Sequence, residues 1–206
     1  MQACKQIGIK NNRSVIQKQN DYNDIVVLLC LSSDKSVSTT MAFVHTLPDG
    51  DREFSFVRDP GADMMLRKDE IDADIVSSAK IFHFGTLSST HEGVREATRY
   101  AIDIAKESDA LISFDPNLRP PLWESLDDAK KEIEYGLSKC DILKISDNEI
   151  EFMTGSTDYD KAVRGLMEKY NIKLAFANAA AAIITTRRGA LKVMPEKEEI
   201  LDLLRR

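Results

Sequence analysis

A chain of 206 residues, 43% hydrophobic and 30% charged, is long enough for one α/β domain with a real core and has the composition of an ordinary soluble globular protein. Its net charge of −6 argues against a nucleic-acid or anionic-membrane surface, which would call for a basic patch, yet leaves room for a nucleotide site built from a few local donors. Cys4, Cys30 and Cys140 are an odd number without CxxC spacing and point to free thiols in a reducing cytoplasm; no apolar run is long enough to cross a bilayer, and the polar start MQACKQIGIKNNR does not read as a signal peptide.

Residues 1–24 are polar and rich in Asn, Gln and Lys, compatible with a helix or with disorder. Ile25 to Leu31 (IVVLLCL) is a short apolar run and reads as a buried strand. Thr39 to Thr46 and Arg52 to Arg58 read as two strands of a hairpin. In the second, Phe54 and Phe56 alternate with Glu53 and Ser55, the period of a strand with one wet face. Pro48-Asp49-Gly50-Asp51 between them is turn chemistry. Asp59 to Leu66 (DPGADMML) begins as a turn and runs into an apolar patch, which suits either a lid or a plain strand-to-helix connection.

From Ser78 the pattern alternates strand and helix. Ala79 to Phe84 is a strand closing at Gly85, and Ser89 with Glu92 has the spacing of a capping box. Val94, Ala97, Ala101, Ile104 and Ala105 mark one face of the helix that follows. Leu111 to Phe114 is the next strand, and Pro120-Pro121 should stop any helix behind it. Leu126, Ala129, Ile133 and Leu137 mark a helix beginning near Ser125. Asp141 to Ile145 is the third strand, and Asp147 to Met153 a short helix ended by Gly155. Tyr159 to Tyr170 is amphipathic, with Ala162, Val163, Leu166 and Met167 on its apolar face. Ile172 to Leu174 starts a strand that runs without a turn signal into Ala175 to Thr186, whose alanines prefer helix. Arg187-Arg188-Gly189 ends that helix, and a last amphipathic helix runs from Pro195 to Arg206. Strands joined by helices imply right-handed crossovers and a parallel sheet.

Three successive strands carry polar residues at their carboxyl ends: His83 and Gly85, then Asp115, Asn117 and Arg119, then Lys144, Ser146 and Glu149. In a parallel sheet these ends share one edge, where ligands bind. Carboxylates for Mg²⁺ and its waters beside cations that neutralise phosphate are what phosphoryl transfer needs. Any doubly wound sheet has polar strand ends, so spacing alone does not separate a site from a solvated edge. His83 reads as a core histidine, with Phe82 and Phe84 on the opposite face of its strand. His45 and His91 have no partner at metal-ligand spacing.

At these residues the chain resembles the ribokinase-like (PfkB) sugar kinases and, within them, the bacterial fructokinases. The matching segments are TTMAFVHTLPDGDREFSFVRDPGADMML, AKIFHFGTLS, ALISFDPNLRPPLW, CDILKISDNEIEFMTG and FANAAAAIITTRRGALKVMP, in family order from Thr39 onward. The resemblance implies a single ribokinase-like domain over residues 1–206, truncated: a three-layer α/β sandwich around a parallel sheet, with a small β lid and hinge at about residues 38–66. It implies transfer of the ATP γ-phosphate to a sugar hydroxyl with Mg²⁺, often helped by a monovalent cation such as K⁺. Asp115, Asn117 and Arg119 would then lie near the sugar and the transferred phosphate. Lys144 would lie near the nucleotide phosphates, Asn178 would border the adenine, and Glu149 would organise metal-bound water. Arg187 to Gly189 would shape the cation site, and Arg58 to Asp63 would belong to the lid and its hinge. Sugar and ATP are the partners implied, and a homodimer is allowed.

The chain departs from the family pattern in two places. The signature Gly-Ala-Gly-Asp, which supplies an anion hole at a helix N-terminus and the base for the sugar hydroxyl, is absent. Gly61-Ala62-Asp63 does not replace it, and the gap falls at Leu174–Ala175. Residues 1–35 show no match to the family's amino-terminal sugar-binding segment. Two readings follow: a fructokinase that converts fructose to fructose 6-phosphate, or a catalytically inactive remnant that binds nucleotide or a partner.

Overall fold

The computed structural model describes residues 5–10, 13–19, 26–31, 37–46 and 52–176. The chain opens with three antiparallel strands, β1 (Lys5–Lys10), β2 (Arg13–Gln19) and β3 (Val26–Leu31), in the order β1-β2-β3. The expectation of helix or disorder over residues 1–24 is therefore corrected where they are described. β1 pairs with β2 across an irregularity between Gln6 and Ile9, and β2 finds a full ladder on β3, with Val15 opposite Cys30 and Ile16 opposite Leu29. Cross-strand pairing outweighs the polar composition of the segment.

β4 (Met41–Thr46) and β5 (Arg52–Val57) form the expected antiparallel hairpin, with Phe43 opposite Ser55 and Val44 opposite Phe54. The turn assigned to Pro48–Asp51 lies outside the described residues. Phe54 and Phe56 are half-buried and stacked, their centroids 6.2 Å apart, while Glu53 and Ser55 are exposed. Two 3-10 turns, Ala62–Met64 and Lys68–Glu70, lead to the short helix α1 (Ala73–Ser77), capped by Asp72 through the Ile75 amide.

The body is a four-stranded parallel sheet in the order β6-β7-β8-β9: β6 (Ile81–Gly85), β7 (Leu111–Asp115), β8 (Ile142–Lys144) and β9 (Leu174–Phe176). Helices α2 (Glu92–Glu107), α3 (Leu126–Lys139), α4 (Asp147–Thr154) and α5 (Tyr159–Tyr170) supply the connections. Alternation along each strand sends Phe84, Ile112, Phe114 and Leu143 into the core, where they meet Ile102, Ile133, Leu137, Ile150 and Leu166 from the helices. Each large side chain buried this way contributes about 1.5–3 kcal/mol. Residues of opposite parity, Ile81, Leu111 and Leu174, remain exposed among the described residues. Cys140 is a free, buried thiol whose pKa burial pushes up to about 12, so it is inert near neutral pH. No helix among the described residues is long and apolar enough to cross a membrane.

Local signals mostly hold. Ser125 caps α3 by accepting from the Asp128 amide, and Gly155 ends α4 in the left-handed region at φ 69°. Three expectations change. Ser89 and Glu92 form no capping box: Ser89 ends a buried 3-10 turn, Thr86–Ser89, and α2 starts behind His91. Pro120 and Pro121 exclude an α-helix but occupy the first positions of a 3-10 turn, Pro120–Leu122, where their missing amides cost nothing. Ala175 and Phe176 are strand, not the start of a helix: Ala175 pairs with Leu143, and that pairing overrides alanine's helix preference. The helices expected beyond, Arg187 to Gly189 included, lie outside the described residues.

Gly136 faces the ring of Phe114 so closely that an added Cβ would stand 2.3 Å from its Cζ. Phe114 is fully buried and cannot withdraw. Gly136→Ala should therefore destabilise the domain: overpacking costs about 1–3 kcal/mol, more than the roughly 1 kcal/mol that alanine returns in helix propensity. Urea unfolding tests this, and a midpoint at or above wild type would contradict it.

Candidate functional site

The parallel register sets Gly85 beside Asp115, and Phe114 beside Leu143, so the carboxyl ends of β6, β7 and β8 form one edge. Asp115 and Lys144 meet there, Oδ2 to Nζ at 2.7 Å, both side chains mostly buried. Asp115 Oδ1 is buried and has no hydrogen-bond partner among the described residues. Beside the pair opens a cavity of about 460 Å³ whose lining includes His83, Gly85, Asp115 and Asn117. His83 is not the core histidine expected. It lies on the exposed face of β6 and shares a 2.9 Å hydrogen bond with Ser113 Oγ, while Phe82 and Phe84 take the other face as anticipated.

Beyond β7 the chain turns sharply. Asn117 adopts φ 45°, a left-handed conformation that non-glycine residues seldom take. The carbonyl before it, on Pro116, accepts both the Thr86 amide at 3.3 Å and the Thr86 hydroxyl. The amide after it, on Leu118, donates to Glu149 Oε1 at 2.8 Å. Glu149 Oε2 accepts the Ser146 amide at 2.9 Å, the reciprocal bond of an S-x-x-E helix start. Glu149 is 5% exposed, and both its oxygens are engaged by backbone amides. Arg119 donates to the Leu118 carbonyl and lays its guanidinium 4.4 Å from the centre of the Phe54 ring, so the loop touches the hairpin.

Of the residues expected at the site, Asp115, Asn117, Arg119, Lys144 and Glu149 occupy this one edge. Asn178 lies outside the described residues. Thr86 and Phe54 were not anticipated: neither has a sequence signature of its own, although the S-x-x-E spacing at Ser146–Glu149 was legible. Among the described residues no group of three or more His, Cys, Asp or Glu converges as a metal cage. Mg²⁺ is commonly held by one or two carboxylates together with substrate phosphates and water.

A second cluster fastens the hairpin to the body. Arg58, buried behind β5, donates through Nε (2.9 Å) and Nη2 (2.6 Å) to Asp63 Oδ2, and through Nη1 to Thr90 Oγ1 at 2.7 Å. It also reaches the Leu87 carbonyl, and Thr40, just before β4, donates to Asp63 Oδ1. A Cβ on Gly61 would stand 1.8 Å from Thr40 Oγ1, so a larger residue there would have to displace the Thr40 hydroxyl from Asp63.

The model of the pfkB family carbohydrate kinases matches residues 1–173, so the family match reaches into the amino-terminal residues 1–35, where the sequence showed no family segment. Probable fructokinase-2 of Arabidopsis thaliana is 33% identical over 253 positions, spanning 92% of this chain and 76% of that protein. Fructokinase-2 of Solanum lycopersicum is 44% identical over 144 positions, spanning 70% of this chain and 44% of that protein. A solved fructokinase from Vibrio cholerae, in its fructose, ADP and calcium ion bound form, superposes with a TM-score of 0.63 at 26% identity, over 72% of this chain and 47% of that one. The first alignment is longer than the 206-residue chain, so it includes stretches of the relative that this chain lacks.

Burial alone would raise the Asp63 carboxyl, but the hydrogen bonds from Arg58 and Thr40, with the Arg58 charge, outweigh it and hold the pKa below the usual aspartate range. A carboxylate depressed on folding contributes stability above its unfolded pKa and loses it as the pH falls through the folded value. The stability difference between wild type and Asp63→Asn should thus be constant near neutral pH and shrink in acid below the aspartate range. Unfolding curves across pH measure it, and a difference that grew in acid would contradict the assignment.

Proposed function

The chain belongs to the pfkB family of carbohydrate kinases, and from that premise we propose that it is an ATP-dependent sugar kinase of the fructokinase kind, converting fructose to fructose 6-phosphate. The observation that carries the reading is the convergence of Asp115, Asn117 and Lys144 on one sheet edge, with Arg119 in the loop that leaves it, in a chain similar over 92% of its length to a probable fructokinase. In this reading Asp115, Asn117 and Arg119 bind the sugar, and Lys144 and Asn178 bind ATP. The hairpin of β4 and β5 is the lid, its Phe54 face resting on Arg119.

Phosphoryl transfer joins the sugar oxygen to the γ-phosphorus, breaks the bond from that phosphorus to ADP and releases the hydroxyl proton. The work of the protein is mostly positioning and charge neutralisation. Arg119 and Lys144 supply positive charge to the phosphates, and Asp115 holds Lys144 in place. Mg²⁺ carried on ATP would screen the phosphate charge, with Glu149 reaching it only through water, and K⁺ is the expected monovalent ion. A cytoplasmic setting fits this use of ATP.

A second reading has its own support. The sequence contains no Gly-Ala-Gly-Asp, and the relative carries stretches that this chain does not. A chain without the family's base would bind nucleotide and turn over nothing. A coupled assay of ADP release separates the two. The kinase reading expects release that depends on fructose and falls at least about 100-fold in Arg119→Ala, as the loss of a charge-stabilising donor does elsewhere. No release, together with a rise in melting temperature on adding ATP, would replace it with the binding-module reading.

A further inference from the structure

Asn117 is held from both sides by buried residues outside its own loop. The Pro116 carbonyl is fixed by Thr86, 1% exposed, through both its amide and its hydroxyl; the Leu118 amide is fixed by Glu149, 5% exposed. Between these two peptide groups the backbone passes through φ 45°, a region that asparagine enters more easily than other non-glycine residues but still at a cost. A strained backbone persists where its surroundings over-determine it, and here the surroundings are two hydrogen-bonding side chains from β6's exit and helix α4. Glu149 is anchored in turn by the Ser146 amide at the start of α4, and Thr86 belongs to the 3-10 turn that follows Gly85. The pins therefore tie the β7 loop to the exits of both neighbouring strands.

We propose that Thr86 and Glu149 are positioning residues that together hold Asn117 in its left-handed conformation and so fix where Asn117 faces the cavity and how the loop carries Arg119 on to Phe54. Neither needs to touch the sugar. Their effect passes through the Pro116 carbonyl and the Leu118 amide. That the loop binds sugar rests on the reading of the preceding subsection; that the two residues pin it does not.

Residue-resolved hydrogen exchange of the whole chain, without ligand, tests the pins, and fructose titration tests their consequence. In Glu149→Ala the Leu118 and Ser146 amides should exchange about 10- to 100-fold faster, the range for losing a hydrogen bond to a charged group. In Thr86→Val, which keeps the shape and removes only the hydroxyl, Leu118 should fall between wild type and Glu149→Ala. The core amides of Ile112 and Leu143 should be unchanged in both, and fructose affinity should fall in the order in which Leu118 exchange rises. Unaltered Leu118 exchange, or acceleration of the core in step with it, would overturn the proposal, as would fructose affinity indifferent to loosening of the loop. Should wild type bind no fructose at all, the sugar-kinase reading fails while the exchange data still decide the pins.

Discussion

One residue sews the parallel sheet together. Asp141 donates its amide to the Ile112 carbonyl at 2.8 Å and accepts the Ile112 amide on Oδ2 at 2.9 Å. Its own carbonyl accepts the amides of Lys173 and Leu174, and Oδ1 pairs with Lys173 Nζ at 2.8 Å. The starts of β7, β8 and β9 are thereby aligned by a single side chain and its peptide groups. Burial would raise this carboxyl, but the Ile112 amide and Lys173 outweigh burial and lower it, so the stitch holds at neutral pH and weakens only in acid. Register matters here because a slip by one residue reverses every side chain. Lys144 would then turn away from Asp115, and Phe114 would leave the core.

From that register the site follows in steps. Aligned starts give aligned ends, and the ends place Asp115 beside Lys144. The exit of β7 must then turn at once, because Pro116 is buried and Leu118 is drawn toward α4 by Glu149. Arg119 emerges from that turn onto Phe54. The hairpin is held at its other end by Arg58, Asp63 and Thr40. Hairpin and body are thus connected twice, by the half-exposed Arg58–Asp63 cluster reaching Thr90 and Leu87, and by the Arg119–Phe54 contact.

Much of this was legible in the sequence because it is local. The alternation of Phe54 and Phe56, the cap at Ser125, Gly155 behind α4 and the DPNLR run each announce themselves within a few residues. What was not legible depends on residues distant in sequence. Thr86 meets Pro116 and Glu149 meets Leu118 across about thirty positions, so no window of the chain contains either pair. The same S-x-x-E signature was readable at Ser89–Glu92 and at Ser146–Glu149, and only packing decides which one forms: Ser89 is buried in a 3-10 turn, whereas Ser146 opens a helix. His83 read as a core histidine; the parity that puts Phe82 and Phe84 on one face, which was legible, leaves His83 on the exposed one. Ala175 read as helix until pairing with Leu143 made it strand.

In the proposed function, the edge formed by Asp115, Asn117 and Lys144, with Arg119 beside it, is a preassembled site for a hexose and a nucleotide. Titration calorimetry of the whole chain with fructose, in the presence of a non-hydrolysable ATP analogue, tests it without requiring turnover. The account predicts saturable one-to-one binding that Lys144→Met weakens. Absence of heat with both ligands present, or binding indifferent to that substitution, would contradict it.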